Sequence, residues 1–275
     1  MTTSETVASG EAAGPETARA ETARAETAVV TAAVLVIGDE ILSGRTKDRN
    51  IGTIAEHLTS IGIDLREARI VGDRHEDIIE ALNALRARYD YVLTTGGIGP
   101  THDDITADAI AAAFGVPLLM HQEALELIAA HAARRGVPMT EPRRRMARIP
   151  QGGMLVRNAV SAAPGFVIGN VIVMAGVPNI MEAMLTDVTP QLRRGRPMIA
   201  RSIDIDRPEG DIAEILAAHQ LRYPGVPMGS YPHFRDGRPQ VQIVLRSRDE
   251  PHLDAVTREL ADEIARQGLM EPRPA

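Results

Sequence analysis

The sequence predicts an α/β protein: a three-layer domain built on a parallel sheet, followed by a small α+β domain. Three observations carry this. A continuous apolar run, AAVLVIG (32–38), and a second buried-strand stretch, YVLTTGG (91–97), each close on glycine, the pattern of strands buried on both faces. Amphipathic helical stretches alternate with these runs, the βαβ rhythm of a parallel sheet covered on both sides. After residue 196 the rhythm changes to β-α-β-β-α, which suits a mixed or antiparallel sheet.

Taken in order, residues 1–28 contain the repeat ETARA-ETARA-ETA and no core-forming face, so they are expected to form a disordered low-complexity tail. The larger domain is placed at 29–195. After its first strand, Ile51, Ile54, Ala55, Leu58 and Ile61 mark one helical face, ended by Gly62. A strand follows over 63–71, then a helix carrying Ile78, Ile79, Leu82 and Leu85. The strand at 91–97 runs into a Gly-rich turn, and the next helix is expected to begin at Asp103 or Asp104 and end by Gly115. Helices are expected over 121–135 and 140–147. Shorter strands are expected over 153–175 with a hairpin turn at Gly169-Asn170, and a helix from Pro178 to about Arg194. The small domain, 196–275, reads as strand 198–205, helix 209–221, strands 226–234 and 239–246 around Arg235-Asp236-Gly237, and a helix over 250–267.

Composition narrows the function. Lys and Arg number 30 against 37 Asp and Glu, a net charge of −7, which argues against sequence-independent nucleic-acid binding. There is no cysteine, so disulfides, thiolate metal sites and a cysteine nucleophile are excluded. No apolar stretch approaches the ~20 residues of a membrane span, and a basic-then-apolar leader is lacking. A cytoplasmic protein that works neither on a membrane nor on nucleic acid is expected.

The strongest chemical signal is TTGGIGPTHDDIT (94–106), between a buried strand and a helix, where open α/β sheets bind ligands. Gly96, Gly97 and Gly99 allow a tight turn and close ligand approach. Free N–H groups and a helix dipole there favour phosphate. The spacing matches neither a dinucleotide fingerprint nor a Walker loop. The bland reading, a tight turn with an Asp cap, does not account for Thr95, Thr101, His102, Asp103, Asp104 and Thr106 together. IGDEILSGRTKDRN (37–50) leaves the other buried strand at the same edge. Gly38, Asp39 and Glu40 therefore join the site, with Asp48 and Asn50 at its rim. Read alone, Asp39-Glu40 would be a solvated loop and Asp48 a helix cap. Carboxylates beside a phosphate site commonly hold Mg²⁺ through one or two direct ligands. Arg143, Arg144, Arg145 and Arg148 read as a solvated face, with a phosphate clamp or subunit contact as alternatives. Ser161 lacks a nucleophile context, and His57, His121, His131, His219 and His252 read as surface or core histidines.

These stretches resemble a known family. GDEIL-x-G-x-T-x-D-x-N followed by T-x-GGIGPTHDD-x-T is similar to the molybdopterin-binding-like (MoaB/Mog) superfamily. Within it, the likeness is to the N-terminal domain of the competence/damage-inducible protein CinA, and equally to the molybdopterin-binding-like domain of eukaryotic FAD synthase. MARIP (146–150), Asn158, APGF (163–166) and AGVPNIM (175–181) extend it over about 31–192, with Ala175 where the family usually has proline. The tail after 196 resembles the KH-like domain that follows this module in CinA proteins, here without a clear G-x-x-G loop; it is expected to be structural or dimer-forming.

The resemblance implies a division by chemistry. Molybdopterin adenylyltransferases carry an Arg before the catalytic-site Asp; here Asp103 takes the Arg position and Asp104 the Asp position. The double-Asp branch is associated with metal-dependent hydrolysis of pyrophosphates such as FAD or ADP-ribose. We therefore expect a nucleotide pyrophosphatase with Asp39, Asp103 and Asp104 as catalytic residues and ligands of a divalent ion (Mg, Mn or Co). The alternatives are a non-catalytic module that binds molybdopterin or a nucleotide, and a molybdopterin adenylyltransferase. Phosphate and substrate would be held by Gly38, Glu40, Asp48, Asn50, Thr95, Gly96, Gly97, Gly99, Thr101 and Thr106. A homo-oligomer binding a small nucleotide or pterin is expected. Neither the deamidase activity of full CinA proteins nor flavin adenylylation is expected of these residues.

Overall fold

The computed structural model describes residues 29–270. The tail read at 1–28 lies outside them. Two compact units divide between Gly195 and Arg196.

The first unit is organised by β1 (Val30–Ile37), whose side chains point alternately to two cores. Val30, Ala32, Val34 and Val36 face Ile54 and Leu58 of α2 (Asn50–Ser60), and Met181, Met184 and Leu185 of α7 (Pro178–Val188). Ala33, Leu35 and Ile37 face Ile78, Leu82 and Leu85 of α3 (His75–Arg86), and Ala109 and Ile110 of α4 (Thr106–Phe114). One strand, apolar but for Thr31, between two helical layers gives the three-layer architecture.

β1 pairs in parallel with β2 (Ile63–Val71) on one side and β3 (Tyr91–Thr95) on the other. The six-stranded sheet runs β2-β1-β3-β8-β7-β6, with β6 Met154–Val156, β7 Gly165–Ile168 and β8 Val171–Met174. β8 is parallel to β3, but β7 and β6 are antiparallel. The sheet is therefore mixed, not purely parallel. Its hairpin at Gly169-Asn170, with Gly169 at φ 56°, turns the chain back within the sheet without a crossover helix.

Other departures have local causes. α4 begins at Thr106 and not at Asp103 or Asp104, because those residues form a turn closed by their own hydrogen bonds. α7 stops at Val188 and continues only as a 3₁₀ turn over Thr189–Gln191, since Pro190 has no N–H to continue the ladder. Three elements were not anticipated: the one-turn α1 (Asp39–Leu42) and the short antiparallel pair β4 (Leu118–Met120) and β5 (Arg148–Pro150). Between β4 and β5 lie α5 (Gln122–Arg134) and α6 (Glu141–Arg145), the latter shorter than expected.

The second unit contains β9 (Ile199–Ile205), α8 (Ala213–Arg222), β10 (Met228–Arg235), β11 (Arg238–Ser247) and α9 (Glu250–Arg266). Its sheet, β10-β11-β9, is antiparallel throughout. Asp236 and Gly237, at φ 52° and 73°, supply the two left-handed residues of a type I′ hairpin. The expected helix from residue 209 starts instead as a 3₁₀ turn over Glu209–Asp211. His219 is fully buried, a core histidine whose Nε2 meets the Val256 carbonyl oxygen at 3.2 Å. Among the described residues no helix is long and apolar enough to cross a membrane.

Candidate functional site

The chain passes from β1 to β2 on one side, then places β3 on the other side of β1. The loops leaving β1 and β3 therefore diverge over a crevice, the topological switch point where open α/β sheets bind ligands. Residues 38–49 and 96–105 are those two loops, as their sequences suggested. The loop after β2 (72–74) and the turn after β8 (175–177) border the same edge.

Backbone contact fixes the glycine loop. Gly96 adopts φ 102°, and a Cβ there would lie 2.1 Å from the Ile37 carbonyl oxygen. Its N–H is committed to the Met174 carbonyl at 3.1 Å, so Gly96 bridges β8 and cannot offer that donor to a phosphate. Gly97, at φ 66°, faces the Thr106 hydroxyl, which a Cβ would meet at 2.2 Å. Thr106 is fully buried; its hydroxyl donates to the Gly96 carbonyl at 3.0 Å and its N–H to the Gly97 carbonyl at 3.0 Å. It closes the loop and is out of a ligand's reach. The N–H groups of Gly97, Ile98 and Gly99 have no acceptor among the described residues.

The turn beyond is self-contained. Asp104 accepts the Thr101 N–H at 2.7 Å and the Thr101 hydroxyl through the same oxygen, so it caps the turn. Asp103 is exposed, and hydrogen bonding within this turn holds its carboxyl below the usual range. His102 is almost fully exposed. Arg145 donates to the Thr101 carbonyl at 3.0 Å and the Asp104 carbonyl at 2.9 Å, and Arg148 grips both oxygens of Asp108 at 3.2 and 2.9 Å. These two arginines staple the loop and the first turn of α4, correcting the reading of a solvated face for Arg145 and Arg148, while Arg144 is exposed. Arg145→Met is expected to lower Tm by about 2–6 °C, because charged hydrogen bonds to carbonyls are lost. A thermal melt checks this.

On the other side of the crevice, Asp39 and Asp73 hold each other. The Asp39 N–H donates to Asp73 Oδ2 at 2.9 Å, and the Asp73 N–H to Asp39 Oδ1 at 3.4 Å. Asp73 was not anticipated. The signal was present: β1 runs from Ile37 into Gly38-Asp39, and β2 from Val71 into Gly72-Asp73. Burial pushes the Asp73 carboxyl up, and the negative charges of Asp39, Glu40 and Asp103 push it further, against the Asp39 N–H, which lowers it. Those charges converge on this part of the crevice. However, among the described residues no three His, Asp or Glu side chains come together as a preformed metal cage, and Asp39, Asp103 and Asp104 do not form one.

A raised carboxyl binds its proton more tightly folded than unfolded. Its contribution to stability is therefore complete below the unfolded value of 3.8 and lost as pH rises through the higher folded value. Asp73→Asn, which keeps the acceptor for the Asp39 N–H, is expected to raise Tm at pH 7 in chelator-treated protein. The gain should shrink toward zero near pH 4. A gain independent of pH would contradict the repulsion.

Two adjoining cavities occupy the crevice. One, of about 600 Å³, is lined by Gly96, Gly97, Ile98, Gly99, Asp104 and an apolar wall including Met146 and Ile180. The other, of about 500 Å³, is lined by Thr95, Asp48, Asn50, Arg45, Lys47 and Arg49, among others. They share Glu40, Thr46, Gly176 and Pro178. Asp48 caps α2 by accepting the Ile51 N–H at 2.9 Å, and buried Asn50 donates to the Gly176 carbonyl at 2.8 Å.

Comparison with known proteins agrees with this architecture. A protein of Pyrobaculum arsenaticum is 33% identical over 253 residues, 88% of this chain and 95% of its own. One of Aeropyrum pernix is 33% identical over 252 residues, 86% of this chain and 93% of its own. The crystal structure of the protein CinA, with unknown function, from Thermoplasma acidophilum superposes with a TM-score of 0.55 at 34% identity, over 59% of this chain and 98% of that one. Residues 197–272 match the family described as FAD synthase, middle domain. Residues 33–194, more than half of the chain, match the family described as probable molybdopterin binding domain, and the chain belongs to that family.

Proposed function

We propose that the chain is a divalent-cation-dependent hydrolase of a dinucleotide phosphoanhydride such as FAD or ADP-ribose. One observation carries the reading: free N–H groups of the Gly97–Gly99 loop, suited to phosphate, lie across the switch-point crevice from a concentration of carboxylates. Phosphate and carboxylates repel one another unless a cation lies between them. The middle domain of FAD synthase, matched by the C-terminal unit, makes a flavin dinucleotide a natural first substrate to try.

In this reading the N–H groups of Gly97, Ile98 and Gly99 receive one phosphate. Asp39 and Asp103, both exposed on the loops that border the crevice, hold the cation, and Asp73 orients Asp39. Mg²⁺, Mn²⁺ or Co²⁺ would be held by one or two of these carboxylates and completed by substrate oxygens. When bound, such an ion neutralises charge on the phosphoanhydride and lowers the pKa of a water. Asp104 is assigned to the turn, and Arg145 keeps that turn, and hence Asp103, in place.

The lack of a preformed cage among the described residues favours a second reading, binding of molybdopterin or a nucleotide without turnover. Adenylyl transfer is disfavoured, because Asp103 puts an anion where the adenylyltransferases carry Arg. Incubating the protein with FAD, ADP-ribose or NADH and Mg²⁺ or Co²⁺, and following nucleoside monophosphate release, separates hydrolysis from binding.

A further inference from the structure

The segment from β4 to just past β6 is basic in an acidic chain. Residues 118–157 carry seven arginines against three glutamates, while the whole chain has a net charge of −7. Arg145 and Arg148 are committed to the glycine-loop turn and α4, and Arg157 to Glu123. Two of the others, Arg135 at the end of α5 and Arg143 on α6, line one cavity of about 470 Å³, and neither has a carboxylate partner among the described residues. His131 lines it too, four residues before Arg135 and so on the same helical face. Among the described residues no carboxylate lines the cavity. Arg143 donates one N–H to the Pro138 carbonyl at 2.6 Å, which leaves most of its five donors for another acceptor. The rest of the lining is mostly apolar, with Ile128, Ala132, Ile180 and Val160, the last 44% exposed. The loop that presents Val160 is already organised, because Asn158 Oδ1 accepts the N–H groups of Val160 at 3.1 Å and Ser161 at 2.7 Å. Cations at helix C-termini offset the helix dipole, which accounts for an arginine at each helix end. It does not account for cations from two helices lining one largely apolar cavity with no counter-charge.

We infer that this cavity is a second binding site, for a phosphate monoester of an apolar or aromatic group. Arg135, Arg143 and His131 take the phosphate, and Ile128, Val160 and Ile180 take the body of the ester. A phosphate monoester carries close to two negative charges at neutral pH and three strong acceptor oxygens. Two guanidinium groups and an imidazole match that head better than they match a single carboxylate. The space, about 470 Å³, is in the range of small-molecule sites. It contains neither the glycine loop nor the carboxylates of the crevice. It adjoins the larger crevice cavity through Met146, Ser161 and Ile180, which line both, so a ligand here touches side chains that wall the crevice. The site goes beyond the hydrolase reading and does not rest on it.

Titration calorimetry of the full chain with phenyl phosphate, inorganic phosphate and benzoate tests this, with thermal melts to confirm that each variant folds. Wild type should bind phenyl phosphate at least about tenfold more tightly than inorganic phosphate, which lacks the apolar body, or benzoate, which carries one charge. Arg135→Glu and Val160→Asp, both at exposed positions, should each weaken phenyl phosphate binding at least about tenfold. Two charge reversals are controls. Arg144→Glu changes an exposed residue of the same basic run that lines neither this cavity nor those of the crevice, and Lys47→Glu changes the lining of the cavity beside α1 and α2. Both should leave phenyl phosphate affinity unchanged. Failure of wild type to bind phenyl phosphate at millimolar concentration, or undiminished affinity in Arg135→Glu, overturns the site. A loss in Arg144→Glu as large as in Arg135→Glu shows diffuse attraction to a basic surface, and an equal loss in Lys47→Glu puts the phosphate in the crevice; either overturns the site as well. Benzoate or inorganic phosphate binding as tightly as phenyl phosphate overturns the assignment to a phosphate monoester with an apolar body. Since no readout involves turnover, the hydrolase reading stands or falls separately.

Discussion

Gly96→Ala is expected to lower Tm by roughly 8–16 °C, from a cost of about 4 kcal/mol. Two effects add. Gly96 has φ 102°, a conformation that costs a residue with a Cβ about 1–3 kcal/mol. The new methyl would also lie 2.1 Å from the Ile37 carbonyl oxygen, and overpacking of this kind costs about another 1–3 kcal/mol. Relief is not available locally, because the obstacle is backbone at the end of a strand held on both sides. Two glycines provide contrasts. Gly99→Ala would meet only the Asp104 carboxylate, which would have to loosen its hold on Thr101 but is not strand backbone, at a φ that other residues adopt. Gly52 lies inside α2 with open space around it, so Gly52→Ala should stabilise by about 0.8–1 kcal/mol. Thermal melts of the three variants check the order: Gly96→Ala far below wild type, Gly99→Ala modestly below it, Gly52→Ala above.

Asp39→Asn and Asp103→Asn are each expected to reduce kcat/KM for dinucleotide hydrolysis at least about a hundredfold, equivalent to ~2.7 kcal/mol of transition-state stabilisation. Both side chains are exposed, and neither change removes volume, so Tm should stay close to wild type. The double variant should lose little more than either single one, because in the proposed reading the two carboxylates act on one cation. Asp104→Asn should behave differently. Asp104 accepts both Thr101 donors, so its loss is felt first in stability. Steady-state kinetics with melts on the same preparations separate the two patterns. Wild-type turnover in either single variant would remove that residue from the cation site.

Much of this was legible because two strands are buried on both faces. Their apolar runs ending in glycine located the sheet, and with it the ligand-binding edge. The loops after them were legible for the same reason. What was hidden depended on partners distant in sequence. Arg145 and Arg148 read as part of a charge run because Thr101 and Asp108, which they hold, lie about forty residues earlier. α1 carries no side-chain cap and one turn cannot show a period. Gly169-Asn170 showed a hairpin, but nothing local indicated that its strands would continue the main sheet in the opposite sense. At the site, Asp39, Glu40 and Asp103 stood out as acidic residues on the right loops. Thr106 stood out equally, yet its hydroxyl closes the glycine loop. Asp73 was passed over because it follows a strand with a polar outer pattern, although its Gly-Asp pair repeats that of Asp39.

The central claim is that the carboxylates at the switch point serve a cation that activates a phosphoanhydride held by the glycine loop. Phosphorus NMR of FAD and ADP-ribose incubated with chelator-treated protein, before and after adding Mg²⁺ or Co²⁺, tests it most directly. The account predicts that the diphosphate signals persist without metal and give way to monophosphate signals once metal is added, for wild type but not for Asp103→Asn. Diphosphate signals that shift on binding yet never convert, or that convert equally in the presence of chelator, would contradict it.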